Sequence, residues 1–239
     1  QVNNGETISA VLTTNIVVNK NVLNADGTLN SNLTNPIGWT PIGNSYSNRY
    51  TGTFDGNNHT ISGLYFNNST IYVGLFGYND SGTIKNIGVI DSYFKGFNHV
   101  GGVCGINGGK IENSYNTGSV SGTKIVGGVC GSKGRKIENS YYLENCNAKG
   151  TTFTNSYGTA QTSEQFASGE VAYRLGGIWG QEIEKDKLPV LNGKKVYENK
   201  TYTGCCEKYQ GDITKCEYSN TKAGTIYLKE THKFENGIC

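Results

Sequence analysis

Val100-Gly101-Gly102-Val103-Cys104-Gly105 recurs as Val126-Gly127-Gly128-Val129-Cys130-Gly131, and Lys110-Ile111-Glu112-Asn113-Ser114-Tyr115 recurs as Lys136-Ile137-Glu138-Asn139-Ser140-Tyr141, both at an offset of 26 residues. A fixed period outranks local signals, because one repeated unit dictates the whole architecture. Looser copies come earlier: Val73-Gly74-Leu75-Phe76-Gly77 with Thr83-Ile84-Lys85-Asn86-Ile87, and before them Thr60-Ile61-Ser62-Gly63-Leu64. Each unit holds short apolar pieces separated by Gly, Asn, Ser and Asp, too short for helices and too regular for loops. Such a unit cannot bury its apolar face alone. Stacking successive units sets each strand beside its copy, about 4.8 Å away. The expected fold class is all-β: a parallel, right-handed β-helix or solenoid with rungs of 23–28 residues. A leucine-rich repeat is excluded by the missing Leu-x-x-Leu-x-Leu frame, and a β-propeller needs units of about 40 residues.

The equivalences predict ladders of like residues. Ile61, Ile84, Ile111 and Ile137 should form an interior aliphatic stack, and Asn86, Asn113 and Asn139 should stack at a bend where an amide can satisfy turn backbone. Gly74, Gly77, Gly102, Gly105, Gly128 and Gly131 should mark positive-φ turns or places where a side chain would crowd the next rung.

Composition agrees with strands and turns. Glycine numbers 34 of 239 residues, proline 3, and methionine is absent. A collagen helix is excluded because the glycines have no three-residue period. The net charge of +2 with 17% charged residues leaves no basic surface for a nucleic-acid backbone. No run of about 18 apolar residues marks a membrane span, and no signal peptide is visible. The start at Gln1 and the lack of Met point to a mature or excised fragment.

Four segments follow: an N-terminal cap with opening rungs over 1–53, the solenoid over 54–160, a helix and strand cap over 161–200, and a Cys-containing tail over 201–239. An open solenoid exposes strand edges and needs caps. The opening cap would use Thr7 to Leu12 and Asn15 to Val18. The closing one would use a helix from Ser163 to Leu175, stopped by Gly176-Gly177.

Gly74-Leu75-Phe76-Gly77, with Gly102-Val103-Cys104-Gly105 and Gly128-Val129-Cys130-Gly131, resembles the GLUG repeat of bacterial surface proteins, which also occurs beside the protease domain of IgA-specific metallopeptidases. Gly38-Trp39-Thr40-Pro41-Ile42-Gly43 and Tyr50 to Ile61 are similar to the leader before such repeats. Glu164 to Tyr173, Trp179-Gly180-Gln181 and Leu188 to Leu191 resemble a closing segment seen in gut Firmicutes. The tail resembles small Cys-containing modules that follow these regions; a second Cys usually follows the one matching Cys239 there, so the resemblance implies a truncated module. The resemblance implies a solenoid fold and an extracellular place, on the bacterial cell surface or secreted.

Seven cysteines leave at least one outside any internal pairing. Cys104 and Cys130 stack on neighbouring rungs, either as buried thiols or as a strained bridge. Cys205, Cys206, Cys216 and Cys239 are the disulfide candidates, with Cys205 or Cys206 to Cys216 the more comfortable pair. No cofactor or metal is expected: the histidines His59, His99 and His232 have no ligand spacing, and no His-Glu-x-x-His occurs.

Glycoside hydrolysis needs two carboxyls about 5–10 Å apart, one of them able to hold a proton. Glu112 and Glu138 stack at that kind of distance, but Lys85, Lys110 and Lys136 surround them, as on a solvated face of alternating charge. No catalytic residue is assigned, and the chain is expected not to be an enzyme. Sixteen tyrosines and two tryptophans point instead to a contact surface. Trp39, Tyr46 and Tyr50, in a loop-like stretch before the first clear rung, are the candidate ligand-binding residues. The expected function is that of a non-enzymatic adhesin, a glycan- or protein-binding module or a stalk, with a host or microbial glycan or surface protein as partner. Two alternatives stand beside it: a carbohydrate-active hydrolase or lyase, and a self-assembling subunit of an extracellular fibre.

Overall fold

The computed structural model describes residues 7–146, 152–153, 157–177, 179–191, 193–198 and 227–228. The chain divides into two compact units, the first ending at Ser163 and the second starting at Glu164.

The first unit is a parallel β-solenoid. One turn, followed from Asn98, runs through five short strands: Asn98–Gly101, Cys104–Asn107, Lys110–Glu112, Tyr115–Asn116 and Ser119–Gly122. Each pairs in parallel with its counterpart on a neighbouring turn. Asn98–Gly101 lies between Ile71–Val73 and Ile125–Gly127, and Cys104–Asn107 lies between Phe76–Asn79 and Cys130–Lys133. The third and fourth strands merge, one turn earlier, into the single strand Thr83–Ile90, which pairs with Thr53–Ser62. The opening strands Ala10–Val11 and Ile16–Val17 lie against Thr53–Ser62.

Period-2 alternation sends one side chain of each pair inward. Val73, Val100 and Val126 form one buried ladder, and Phe76, Cys104 and Cys130 form another. Asn79 and Asn107 are also inside. The Asn79 Nδ2 donates to Asn107 Oδ1 at 2.7 Å and to the Gly82 carbonyl at 3.0 Å, while Asn107 Nδ2 donates to the Gly109 carbonyl at 3.0 Å. These bonds tie the buried corner from turn to turn and satisfy the two amide nitrogens, which would otherwise be costly to desolvate.

Four expectations need correction. Ile84, Ile111 and Ile137 stack in register, but the residue before them is Phe54; Ile61 pairs with Val89, in the neighbouring ladder. Thr53–Ser62 carries two extra residues at a bulge between Asp55 and His59, which displaces Ile61 along the strand. Secondly, the repeat glycines meet one of their two expected roles and not the other: none of Gly74, Gly77, Gly102, Gly105, Gly128 and Gly131 has a positive φ. Crowding is what requires glycine: a Cβ on Gly102 would stand 2.1 Å from Asn116 Cγ, and one on Gly128 2.1 Å from Tyr142 Cγ. The left-handed bends fall to asparagine instead. Asn86, Asn113 and Asn139 have φ of 54°, 48° and 41°, and their amides join in a chain, Asn139 Nδ2 to Asn113 Oδ1 at 3.3 Å and Asn113 Nδ2 to Asn86 Oδ1 at 3.4 Å. Asn86 Nδ2 then donates to Asp55 Oδ1 at 2.9 Å.

Thirdly, in the second unit the expected single helix is two, α1 (Ser163–Ala167) and α2 (Glu170–Leu175), broken where Gly169 adopts φ 88°. Phe166, Val171, Ala172 and Leu175 are buried. The amide of buried Gln181 donates to the carbonyls of Phe166, Ala167 and Asp186 at 2.8, 3.0 and 2.9 Å, holding the end of α1 to the following loop. Trp179–Gly180 pairs antiparallel with Val190–Leu191. Cys205, Cys206, Cys216 and Cys239 lie outside the described residues. The fourth correction concerns the aromatic residues before the first rung.

Candidate functional site

Trp39, Tyr46 and Tyr50 do not share a surface. Trp39 is half-buried against the core, with its indole N–H donating to the Gly74 carbonyl at 3.0 Å. Tyr50 is fully buried: its ring lies 5.0 Å from that of Phe76 and its hydroxyl donates to the Ile8 carbonyl at 3.0 Å. Burial pushes its phenol up to about 12. The reason is that the stretch before the first clear rung is itself a rung. Gly38, Ile42 and Tyr50 bridge in parallel to Tyr65, Phe76 and Asn79, so Trp39 and Tyr50 are core residues of an irregular turn. Tyr46 alone projects, 64% exposed.

Tyr46 opens a continuous aromatic strip. Its ring centroid lies 6.0 Å from that of Tyr78, Tyr78 lies 5.6 Å from Tyr72, and Tyr72 stacks on His99 at 5.7 Å with 28° between planes. At the far end the Arg49 guanidinium sits 4.5 Å above the Tyr46 ring and 3.7 Å from the Asp80 carboxylate. Three of the rings come from three strands, and Tyr46 comes from the irregular turn before them. Tyr78 is the outward residue of Phe76–Asn79, whose Phe76 and Asn79 point inward. Tyr72 precedes buried Val73, and His99 precedes buried Val100, so two equivalent strands place Tyr72 and His99 side by side. Each ring pair contributes about 0.5–1.5 kcal/mol beyond the area it buries, so the strip holds its own shape. The sequence analysis missed Tyr72, Tyr78 and His99. Tyr72 and His99 each precede a buried valine and so were legible as outward positions, whereas Tyr78 was not, because simple alternation puts it on the face of buried Phe76.

His99 is unusual within the strip. Its Nδ1 is buried without a hydrogen-bond partner, and desolvation lowers its pKa below the ordinary histidine value, which favours the neutral ring at physiological pH. Tyr72 and His99 have φ of 63° and 53°, a left-handed backbone that is rare for residues with a large side chain.

The carboxylates on the sheet that contains Thr83–Ile90 are paired with lysines. Lys110 Nζ is 2.5 Å from Glu112 and 3.5 Å from Glu138, Lys136 Nζ is 2.6 Å from Glu138, and Lys85 Nζ is 3.2 Å from Asp55. The Lys136 ammonium, with help from Lys110, lowers the pKa of Glu138. A glycosidase acid needs the reverse shift.

Cys104 and Cys130 stand opposite one another as buried thiols. Their Sγ atoms lie 3.0 Å from the Ile106 carbonyl and 3.1 Å from the Ser132 carbonyl, and burial with the neighbouring thiol pushes Cys104 well above the usual thiol value. Among the described residues no group of three or more His, Cys, Asp or Glu side chains converges as a metal site. Among the same residues no helix is long and apolar enough to cross a membrane.

No family model matches the chain. A stretch of 104 residues, 42% of the chain, is 36% identical to halomucin from Haloquadratum walsbyi (strain DSM 16790 / HBSQ001), and covers 1% of that protein's length. A crystal structure from Bacteroides ovatus, provisionally described as an immunoglobulin A1 protease, overlaps 80% of this chain and 87% of its own at 17% identity and a TM-score of 0.36. That overlap is too low to carry fold or activity across; the fold assignment rests on the ladders described above.

Proposed function

We propose that this chain is a non-enzymatic module of an exported protein, extracellular or held at a cell surface, that makes adhesive contact with glycans through the aromatic strip. The observation that carries the proposal is the continuity of Arg49, Tyr46, Tyr78, Tyr72 and His99 on a rigid parallel scaffold. Amphipathic rings with polar rims are suited to sugars and to protein surfaces, and a ladder of hydrogen-bonded turns fixes them in advance of binding. The resemblance of the repeated Gly-x-x-Gly stretches to the GLUG repeat and the partial likeness to halomucin support a place outside the cell. The enzymatic alternative loses support at Glu112 and Glu138: lysines pair with both carboxylates, and Lys136 with Lys110 lowers the pKa of Glu138.

The test is binding of the purified chain to a broad glycan and mucin array, beside a Tyr46→Ala, Tyr78→Ala double variant. Selective binding that the variant loses is expected. Retention of all signal by the variant, or no signal from the wild type, would refute the assignment.

A second reading is favoured by one feature. Val11 and Val17, on the opening strands, are 62% and 57% exposed, with Ile8 and Ile16 beside them at 44% and 38%. Exposed aliphatic side chains on an edge strand promote association between copies, as in a fibre subunit. Sedimentation over a range of concentrations separates the two: a constant monomer excludes the fibre.

A further inference from the structure

The third turn supplies an internal control for the strained backbone at Tyr72 and His99. Tyr72 and His99 are equivalent, since Ile71 pairs with Asn98 and Val73 with Val100. Val100 pairs in turn with Val126, which makes Ile125 the third residue of the series. Ile125 has no positive φ. The solenoid therefore passes through this position with ordinary backbone, and a β-branched residue occupies it there. The left-handed conformations at 72 and 99 belong to those two residues and are not demanded by the fold. Strain of this kind persists where it serves a purpose, and at both positions it carries an aromatic ring into the strip.

Among the described residues the cation that packs on a ring of the strip, Arg49 over Tyr46, also faces the Asp80 carboxylate at 3.7 Å, while Lys124 lies 4.9 Å over the Phe97 ring. Desolvation lowers the pKa of the imidazole and so disfavours its charged form. A sugar ring with a face of C–H bonds packs on such a surface without needing a counter-ion, whereas a carboxylated sugar would have to compete with Asp80 for Arg49.

We infer that the Tyr72–His99 pair is the primary subsite of the strip, held by left-handed backbone for that purpose, and that it takes neutral hexose residues in preference to acidic ones. This rests on the strip being a carbohydrate contact. Glycine adopts positive φ freely, so Tyr72→Gly and His99→Gly remove the rings while relieving the backbone. Asparagine also tolerates that conformation, so Tyr72→Asn and His99→Asn serve as a second pair if loss of packing lowers the melting temperature of the first.

The experiment titrates wild type and variants with lactose, cellotriose and chitotriose, and with sialyllactose and trigalacturonate, by chemical-shift perturbation, with a thermal melt of each protein. The expected result is a preference of the wild type for the neutral set, at least tenfold weaker neutral binding in the 72 and 99 variants, and melting temperatures equal to or above wild type for the glycine or the asparagine pair. Neutral binding that survives in these variants but is lost on Tyr46→Ala would overturn the subsite while leaving the strip. Preference for the acidic set would overturn the ligand class alone. A wild type that binds neither set overturns the carbohydrate reading itself, and with it this inference.

Discussion

Replacing Asn113 by Gly and by Ala separates two functions of one residue. The side chain donates to Asn86 Oδ1 at 3.4 Å and accepts from Asn139 Nδ2 at 3.3 Å, while the backbone sits at φ 48°. Both bonds are long and at most partly buried, so each contributes about 0.5 kcal/mol, the low end for a protein hydrogen bond. Gly loses both, about 1 kcal/mol, but suits the left-handed bend and recovers part of that. Ala loses the same bonds and bears a left-handed cost of about 1–2 kcal/mol. The expected order is wild type, then Gly, then Ala, with Ala below Gly by about 1–2 kcal/mol. For a chain of this size that separates their melting temperatures by roughly 2–8 °C. Urea unfolding followed by circular dichroism at unchanged slope measures the difference directly. An Ala variant as stable as the Gly variant would refute the claim that the bend is left-handed and that asparagine is there for its backbone.

Ile111, fully buried in the central ladder, should cost about 2–5 kcal/mol as Ile111→Ala, measured by the same urea unfolding. Gly128→Ala, whose Cβ would stand 2.1 Å from Tyr142 Cγ, should destabilise by about 1–3 kcal/mol through overpacking; a neutral result would show that the Tyr142 ring yields. Tyr50 gives a pH dependence. Its folded pKa, about 12, lies above the unfolded value of about 10, so the stabilisation is complete below pH 10 and is lost as pH rises from 10 to 12. Tyr50→Phe should flatten that alkaline limb, as read from melting temperature against pH. Cys104 and Cys130, buried thiols with Cys104 shifted upward, should resist alkylation in the native protein and react once it is unfolded; mass spectrometry of the peptides checks this.

The solenoid was legible because the 26-residue offset is constant between the last two full turns, so equal spacing in sequence became equal height in space. The same assumption failed where spacing changes. Two extra residues between Asp55 and His59 moved Ile61 out of the ladder to which simple alignment assigned it. Trp39 and Tyr50 were read as loop residues because the irregular first turn has no repeat signature, although its bridges to Tyr65, Phe76 and Asn79 make it part of the core. Tyr46 was legible only as one of many tyrosines. The strip around it required knowing which outward positions become neighbours on adjacent strands, and nothing in a tyrosine or histidine letter announces a positive φ. The split of the helix at Gly169 was the reverse case: the glycine was visible, but a favourable apolar pattern on both sides concealed the break.

The parallel ladders also fix how this unit answers to force. Each strand is bonded only to the turns above and below it, so tension between its two ends opens those bonds in sequence, as a zipper, and not all together in shear. Each turn of 26 residues that yields releases roughly 90 Å of extended chain. A protein that held two surfaces together through such units would absorb a sudden pull by paying out length one turn at a time, and the remaining turns would keep their rings in place.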